Sequence, residues 1–307
     1  MELATGSVRS RTKKERSLSR KSMVIYFLLT LPALLLFLWF FCYPVFMGVL
    51  YSFTNWDGIS KAYKFIGFSN YTDIFRESRF IGASLFTVKY TIIAVFLKTS
   101  ISTIVSLLLF NVTRFRGFLR SVYFLPGVLS LLTISLVFNE IFREIVPHFG
   151  QFFGIELLSR NILGYAETAL FGIVIVNVWH GIAVPIVILL AGLTSVPKDL
   201  LEAAKIDGAN RVQSFFAITL PFLIPMLTVV IVLAFKSGFS VFDSIMALTG
   251  GGPGTSTESI AFLIYKHGLN EYKFGRASAE SLVLFLIIAA VSFIQIKWLN
   301  RKEVGQQ

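Results

Sequence analysis

Six stretches of this chain are apolar over about 20 residues or more: Met23–Leu50, Phe80–Phe110, Leu119–Phe142, Ala169–Leu190, Leu220–Phe242 and Ala277–Trp298. A helix rises about 1.5 Å per residue and a bilayer's hydrocarbon core is about 30 Å thick, so each stretch is long enough to cross. The 307 residues are 55% hydrophobic, include 32 Phe, and only 15% are charged. A soluble core of this size cannot hide so much apolar surface, which makes lipid the solvent for much of the chain. The expectation is an all-α integral membrane protein with six transmembrane helices. Two shorter apolar pieces, Phe149–Ser159 and Ile260–Leu269, cannot cross and belong at the interface or in outer loops. Pro32, Pro126, Pro185 and Pro225 interrupt spans, which is tolerated where neighbouring helices or water satisfy the freed carbonyls.

Lysine and arginine give the direction. With both termini inside, segments 1–22, 111–120, 191–219 and 297–307 carry 16 basic residues in 72 positions, against 9 in 90 for the outer segments 55–80, 139–168 and 243–276. The bias favours N-in, C-in, with Arg114, Arg116 and Arg120 fixing a short inner turn. The net charge of +11 is therefore a topology signal rather than a nucleic-acid footprint, and no nucleic-acid partner is expected. Arg9, Arg11, Lys13, Lys14, Arg16, Arg20 and Lys21 precede the first span as they would precede a signal peptide. The apolar run is too long for that and no small-x-small cleavage site follows, so it reads as a retained anchor. The resulting division is a basic tail 1–22, a first helix and outer loop 23–79, a core 80–298 and an inner tail 299–307. The lone Cys42 excludes an internal disulfide framework and a multi-cysteine metal site. No metal site is expected, and His180 alone does not make one.

The stretch LTGGGPGTSTES, residues 248–259, has the composition of a phosphate loop. It lacks the lysine that such loops use to reach the β- and γ-phosphates, follows a span rather than a strand, and faces outside, where cytoplasmic ATP is absent. Gly250, Gly251, Gly252, Pro253 and Gly254 instead suit a chain reversal, since glycine supplies positive φ and proline fixes φ.

The long inner loop, AGLTSVPKDLLEAAKIDGANRVQSFFAITLPFLIP, is more specific. Thr194 or Ser195 can cap a first helix with Pro197 in its opening turn, ending near Ile206, where Gly208 permits a left-handed turn. Asn210 and Gln213 have capping-box spacing for a second. Two short helices joined by a glycine would form an elbow beneath the membrane. Its exposed apolar face either seeks a partner or packs on its own bundle.

Glu202-Ala203-Ala204, Gly208, Ile218 and Leu220-Pro221 reproduce the spaced pattern E-A-A-x3-G-x9-I-x-L-P without a gap. That pattern resembles the signature of ATP-binding-cassette importer permeases, and the likeness covers roughly residues 80–298. The glycine-rich segment, with Phe274-Gly275-Arg276-Ala277-Ser278-Ala279 leading into the last span, is similar to the carbohydrate-uptake branch that includes maltose and glycerol-phosphate permeases. The resemblance implies the type I (binding-protein-dependent) importer fold in a bacterial-type cytoplasmic membrane. The implied partners are a second, homologous permease subunit, a dimer of ATPase subunits that binds the ATP and magnesium, an extracytoplasmic sugar-binding protein and a sugar. This chain would hold no cofactor and catalyse nothing. Glu202, Ala203, Ala204, Asp207, Gly208, Ile218, Leu220 and Pro221 would couple it to the ATPase. Residues Gly250 to Gly254 would shape the cavity mouth or meet the binding protein, with a purely structural turn as the competing reading.

Polar side chains at membrane depth face protein or water. Lys98, Asn177, His180, Lys236 and Asp243 are therefore candidates to line the path, with Trp179 and Phe239 as surfaces on which a sugar could stack. Interhelical hydrogen bonding and snorkelling are the competing roles, and Lys89 is expected to snorkel. An ion-coupled secondary transporter would need a mid-span carboxylate, and Glu140, Asp243 and Glu280 all lie at ends. A membrane enzyme would need paired carboxylates, a nucleophile with its base or a ligand cluster, and the spans contain none. A third alternative keeps the fold but moves the solute to amino acids, phosphate or metal, and the outer glycine loop argues against it.

Overall fold

The computed structural model describes Met23, residues 25–112 and residues 115–299. The basic tail 1–22, Arg114 and residues 300–307 lie outside the described residues, as do the side chains of Arg116 and Trp298. In chain order the helices are α1 (Ile25–Tyr51), α2 (Ser69–Arg76), α3 (Ser78–Phe110), α4 (Gly117–Val128), α5 (Leu131–Phe153) and α6 (Ala166–Gly181). They continue with α7 (Ala183–Thr194), α8 (Lys198–Ile206), α9 (Arg211–Phe239), α10 (Asp243–Leu248), α11 (Ile260–Tyr265) and α12 (Phe274–Lys297).

Four of these, α1, α3, α9 and α12, are long and apolar enough to cross a membrane alone. The third and fourth expected spans are each a bent pair: α4 and α5 meet at 93°, α6 and α7 at 47°. Counting each pair as one span gives six. The breaks have local causes. Pro126 cannot bond back to the preceding turn, and Leu129 and Ser130 then run extended (ψ 153° and 127°), so no helix bridges α4 to α5. Pro185 removes the bond that would join the first turn of α7 to the end of α6. The fifth span stops at Phe239, earlier than expected, and Asp243 opens a separate helix.

Among the described residues π turns occur at Leu38–Cys42, Ile141–Ile145, Phe215–Thr219 and Lys266–Asn270. The first three each end two residues before a proline: Pro44, Pro147 and Pro221. A proline ring in an α-helix collides with the carbonyl four residues back. One extra residue in the turn moves that carbonyl aside, which lets the helix continue through the proline.

The core is built where helices cross. Phe86, Tyr90, Ile134, Ile173, Val176 and Ile245 bring α3, α5, α6 and α10 together. Phe80, Phe239, Ile260, Leu263 and Ala279 join α3, α9, α11 and α12, and Leu189, Leu193, Leu223 and Val230 close α7 on α9. The short apolar piece beginning at Ile260 is thus part of the core, with Ile260, Phe262 and Leu263 buried. No residue of the apolar window of α1 is buried by the rest of the chain. Among the described residues α1 packs on the rest of the chain mainly at its Tyr43–Tyr51 end, against α12.

Candidate coupling elbow and outer loop

Val196, Pro197 and Lys198 set the start of the elbow. Proline keeps its predecessor out of the α region and is itself extended here (ψ 128°), so α8 begins at Lys198 with Pro197 as its N-cap. Neither Thr194 nor Ser195 caps it. Their hydroxyls donate back to the carbonyls of Ala191 (2.6 Å) and Gly192 (2.7 Å) and belong to the end of α7. Glu202 and Ala203 are exposed on α8, and Ile206 is 87% exposed at its tip. Asp207 closes the helix, its N–H donating to Ala203. Gly208 then takes φ +83°, with the Ala209 N–H reaching the Ala204 carbonyl at 2.9 Å. That left-handed turn needs a residue without a Cβ.

Asn210 accepts from the Gln213 N–H while the Gln213 side chain accepts from the Asn210 N–H, both at 2.9 Å, a complete capping box. The helix it starts is not short. It runs through the π turn that holds Ile218, enters Leu220 and Pro221, and continues to Phe239 as α9. The elbow is therefore one short helix hinged by Gly208 onto a full span. A cavity of about 970 Å³ lies beneath it, lined by Leu193, Val196, Leu201, Lys205, Arg211 and Phe215 among others.

At the other end the glycine-rich loop folds on itself. Gly250, Gly251 and Gly254 have φ of +58°, +87° and +61°. Thr257 closes the reversal: its N–H donates to Gly251 (3.2 Å), its hydroxyl to Gly252 (2.7 Å), and its oxygen lies 2.8 Å from the Thr249 hydroxyl. Gly254 and Thr255 are the exposed residues of the reversal, and Pro253 is half-buried. Gly251 is buried, and a Cβ there would lie 2.7 Å from the Phe262 ring.

Beneath the loop lies a charge network that the sequence did not reveal. Glu258, 1% exposed, receives two bonds from the Arg79 guanidinium (2.8 Å each) and one from the Lys266 ammonium (2.9 Å). Arg79 also donates to Glu271 (2.9 Å), which accepts from Lys273 (2.8 Å). Burial opposes ionisation of Glu258, but its two cationic partners outweigh that and hold its carboxyl below the ordinary range. Lys273, and then Arg79, against desolvation, lower Glu271 to about 2. Nearby, His267 contacts Glu280 at 2.8 Å, and Arg276 bonds both Glu280 and Glu77. Glu77, His267 and Glu280 place ligand atoms within 4.8 Å of one another, but the Arg276 guanidinium already serves as their cation.

The Phe274-Gly275 pair has a packing reason. The Thr54 carbonyl sits where a Gly275 Cβ would be, 2.1 Å away, and the Gly275 N–H donates to Trp56 at 2.8 Å. The Phe274 ring packs edge-on against Tyr51 and Trp56.

The mid-depth candidates scatter. Asn177 donates to Ser244 (2.7 Å) and Ile173, buried between α6 and α10. His180 meets the Leu129 carbonyl at the α4–α5 break (3.1 Å). Lys98 is buried against Gly181, with Ser237 at 3.5 Å. Trp179 is 41% exposed and packs on Phe138. Phe239 is in the core, stacked on Phe235. Lys236, in the last turn of α9, and Asp243, heading α10, are exposed. Asn177 and Phe239 are thus engaged within the fold, and these residues do not form one cluster.

A family model described as binding-protein-dependent transport system inner membrane component matches residues 100–303. The multiple sugar-binding transport system permease protein MsmF of Streptococcus mutans is 39% identical, the match covering 86% of this chain and 91% of that protein. The probable starch degradation products transport system permease protein AmyD of Thermoanaerobacterium thermosulfurigenes is 31% identical over 92% of this chain and 97% of that one. A chain of the bacterial alginate ABC transporter, solved with an alginate pentasaccharide-bound periplasmic protein, superposes with a TM-score of 0.79 at 22% identity, covering 94% of this chain and 98% of that one.

Proposed function

This chain belongs to the family of binding-protein-dependent transport system inner membrane components, and from that premise we propose that it is one permease subunit of an ATP-driven carbohydrate importer. It is a membrane-embedded transport subunit and not an enzyme. The names of its relatives, sugar and starch-product permeases, support a carbohydrate as the solute. The family supports a second permease, an ATPase dimer and the cytoplasmic membrane as its setting. The complex in which the alginate transporter was solved supports an extracytoplasmic binding protein as the source of substrate.

The observation that carries the mechanism is the hinge at Gly208 between α8 and α9. In the proposed cycle α8 docks on the ATPase with Glu202, Ala203 and Ala204 against it. Closure of the ATPase swings α8, and the capping box transmits that motion into α9, which packs against α3, α7 and α12. A motor shifts the equilibrium only as far as it binds one state better than the other, so the α8 contact must differ between the two ATPase states. Alternating access follows as the inner end closes and the outer end opens.

The test is reconstitution with the ATPase, partner permease and binding protein in liposomes. Labelled sugar should accumulate with ATP, persist with an uncoupler and stop when ATP is withdrawn. Accumulation driven by an ion gradient without ATP would replace this reading with a secondary transporter. A panel of sugars assayed by thermal stabilisation of the binding protein identifies the solute.

A further inference from the structure

The cavity beneath the elbow takes no part in the proposed cycle, and its walls come from four elements. Phe110 closes it from the inner end of α3, Leu193 from the end of α7, Leu201 and Lys205 from α8, and Arg211 and Phe215 from the first turns of α9. Its volume of about 970 Å³ stands at the upper end of the roughly 300–1,000 Å³ of small-molecule sites. Leu201 and Lys205 are four apart and share one face of α8. Ala203 and Ile206 lie on the opposite face, exposed toward the motor's side. The nine-residue α8 has no buried residue and meets the rest of the chain chiefly at the first turn of α9, so it is a lever over the cavity. The lining sorts by chemistry. Phe110, Leu193, Leu201 and Phe215 give an apolar floor, and the charged residues, Lys205 and Arg211, are both cations. Among the described residues no carboxylate lines the cavity and neither cation enters an ion pair.

We infer that this cavity is an effector site for an organic phosphate with an apolar body, its anion held by Lys205 and Arg211 and its body on the apolar floor. The effect on coupling rests on the reading of the elbow given above. An apolar cleft with a few converging polar groups is the general form of a small-molecule site, and arginine and lysine are the side chains that bind phosphate. The two cations stand on either side of the hinge, Lys205 three residues before Gly208 and Arg211 three after. An anion bound by both bridges that hinge, while the body of the ligand braces α8 against α3 and α7. A lever held at one angle cannot follow both states of a motor, so the occupied site uncouples the bundle from the ATPase. Phosphate on an apolar body comes from two sources, a phospholipid or a soluble aryl or nucleoside phosphate.

The test titrates the assembled transporter in detergent, without nucleotide, with 1-naphthyl phosphate and with dioctanoyl phosphatidylglycerol, each beside its phosphate-free counterpart, 1-naphthol and dioctanoylglycerol. At least one phosphate probe should bind, and Lys205→Ala with Arg211→Ala should weaken it about tenfold or more, since two charge-assisted contacts go. Lys198→Ala, on the same helix but outside the lining, should leave the affinity unchanged. All three side chains are exposed, so folding is not at stake. Tighter binding of the naphthyl compound marks a soluble effector, and tighter binding of the glycerolipid marks a lipid. Saturating probe should lower binding-protein-stimulated ATP hydrolysis several-fold in the wild type and leave the double variant unaffected. The proposal is overturned by an equal loss in Lys198→Ala, by equal binding of the phosphate-free compounds, or by hydrolysis that ignores bound probe. Failure of both phosphate probes to bind overturns it too, since a partner subunit then fills the cavity. Affinity is read without transport, so a transporter that proved to be ion-driven would lose the coupling cycle and keep these affinities, which separates the two failures.

Discussion

Two glycines show how a single atom decides local structure. Gly275 lies under the Thr54 carbonyl, 2.1 Å from where a Cβ would stand, so Gly275→Ala must push the 51–56 segment off the first turn of α12. The expected cost is about 1–3 kcal/mol, read as a lower thermal midpoint in detergent. Gly208 is different, because space is open around it and only its φ of +83° is demanding. Gly208→Val should leave the bundle folded while straining the hinge. The expected outcome is retained thermal stability of the spans and loss of copurification with the ATPase; unchanged copurification would remove the hinge from the coupling path.

Among elements, the outer loop is held by charge as much as by turn chemistry. Glu258 is buried and its ligands come from α3 and from the end of α11. Removing Arg79 takes away two of the three bonds on the buried Glu258 carboxylate and leaves it facing Lys266 alone. Arg79→Gln should therefore lower the thermal midpoint, and adding Glu258→Gln should recover part of the loss, because the under-compensated buried charge is then gone. Acid should act on the same network. Glu258 and Glu271 titrate below the ordinary 4.5 in the folded chain, Glu271 at about 2. The stability they contribute is complete above that ordinary value and is lost as pH falls below it, through about 2 for Glu271. Hydrogen exchange over residues 248–259 should accelerate across that window in the wild type and at a higher pH in Arg79→Gln.

For the molecule as a whole, elbow and outer loop occupy opposite ends of the bundle, with α9 running from one toward the other. That layout predicts opposite labelling. In right-side-out vesicles of a Cys42→Ser background, Glu202→Cys should resist a membrane-impermeant maleimide, and Tyr272→Cys, 57% exposed beside the outer network, should react. The reverse pattern would invert the topology and move the elbow away from any cytoplasmic motor.

The apolar runs, the glycine hinge and the capping box were legible in the sequence because each depends on residues within a few positions of one another. Periodicity, φ preference and cap spacing are local physics. The order Glu202 to Pro221 accordingly marks the elbow in the sequence, although the short second helix its spacing predicts is the first turn of a span. What only the tertiary structure decided lies between distant residues. Arg79 meets Glu258 across 179 positions and Asn177 meets Ser244 across 67. No spacing rule links such partners, because their approach depends on how the helices cross. The breaks in the third and fourth spans fall between these cases: the prolines flagged them, but their size, 93° and 47°, was set by what each half-helix packs against.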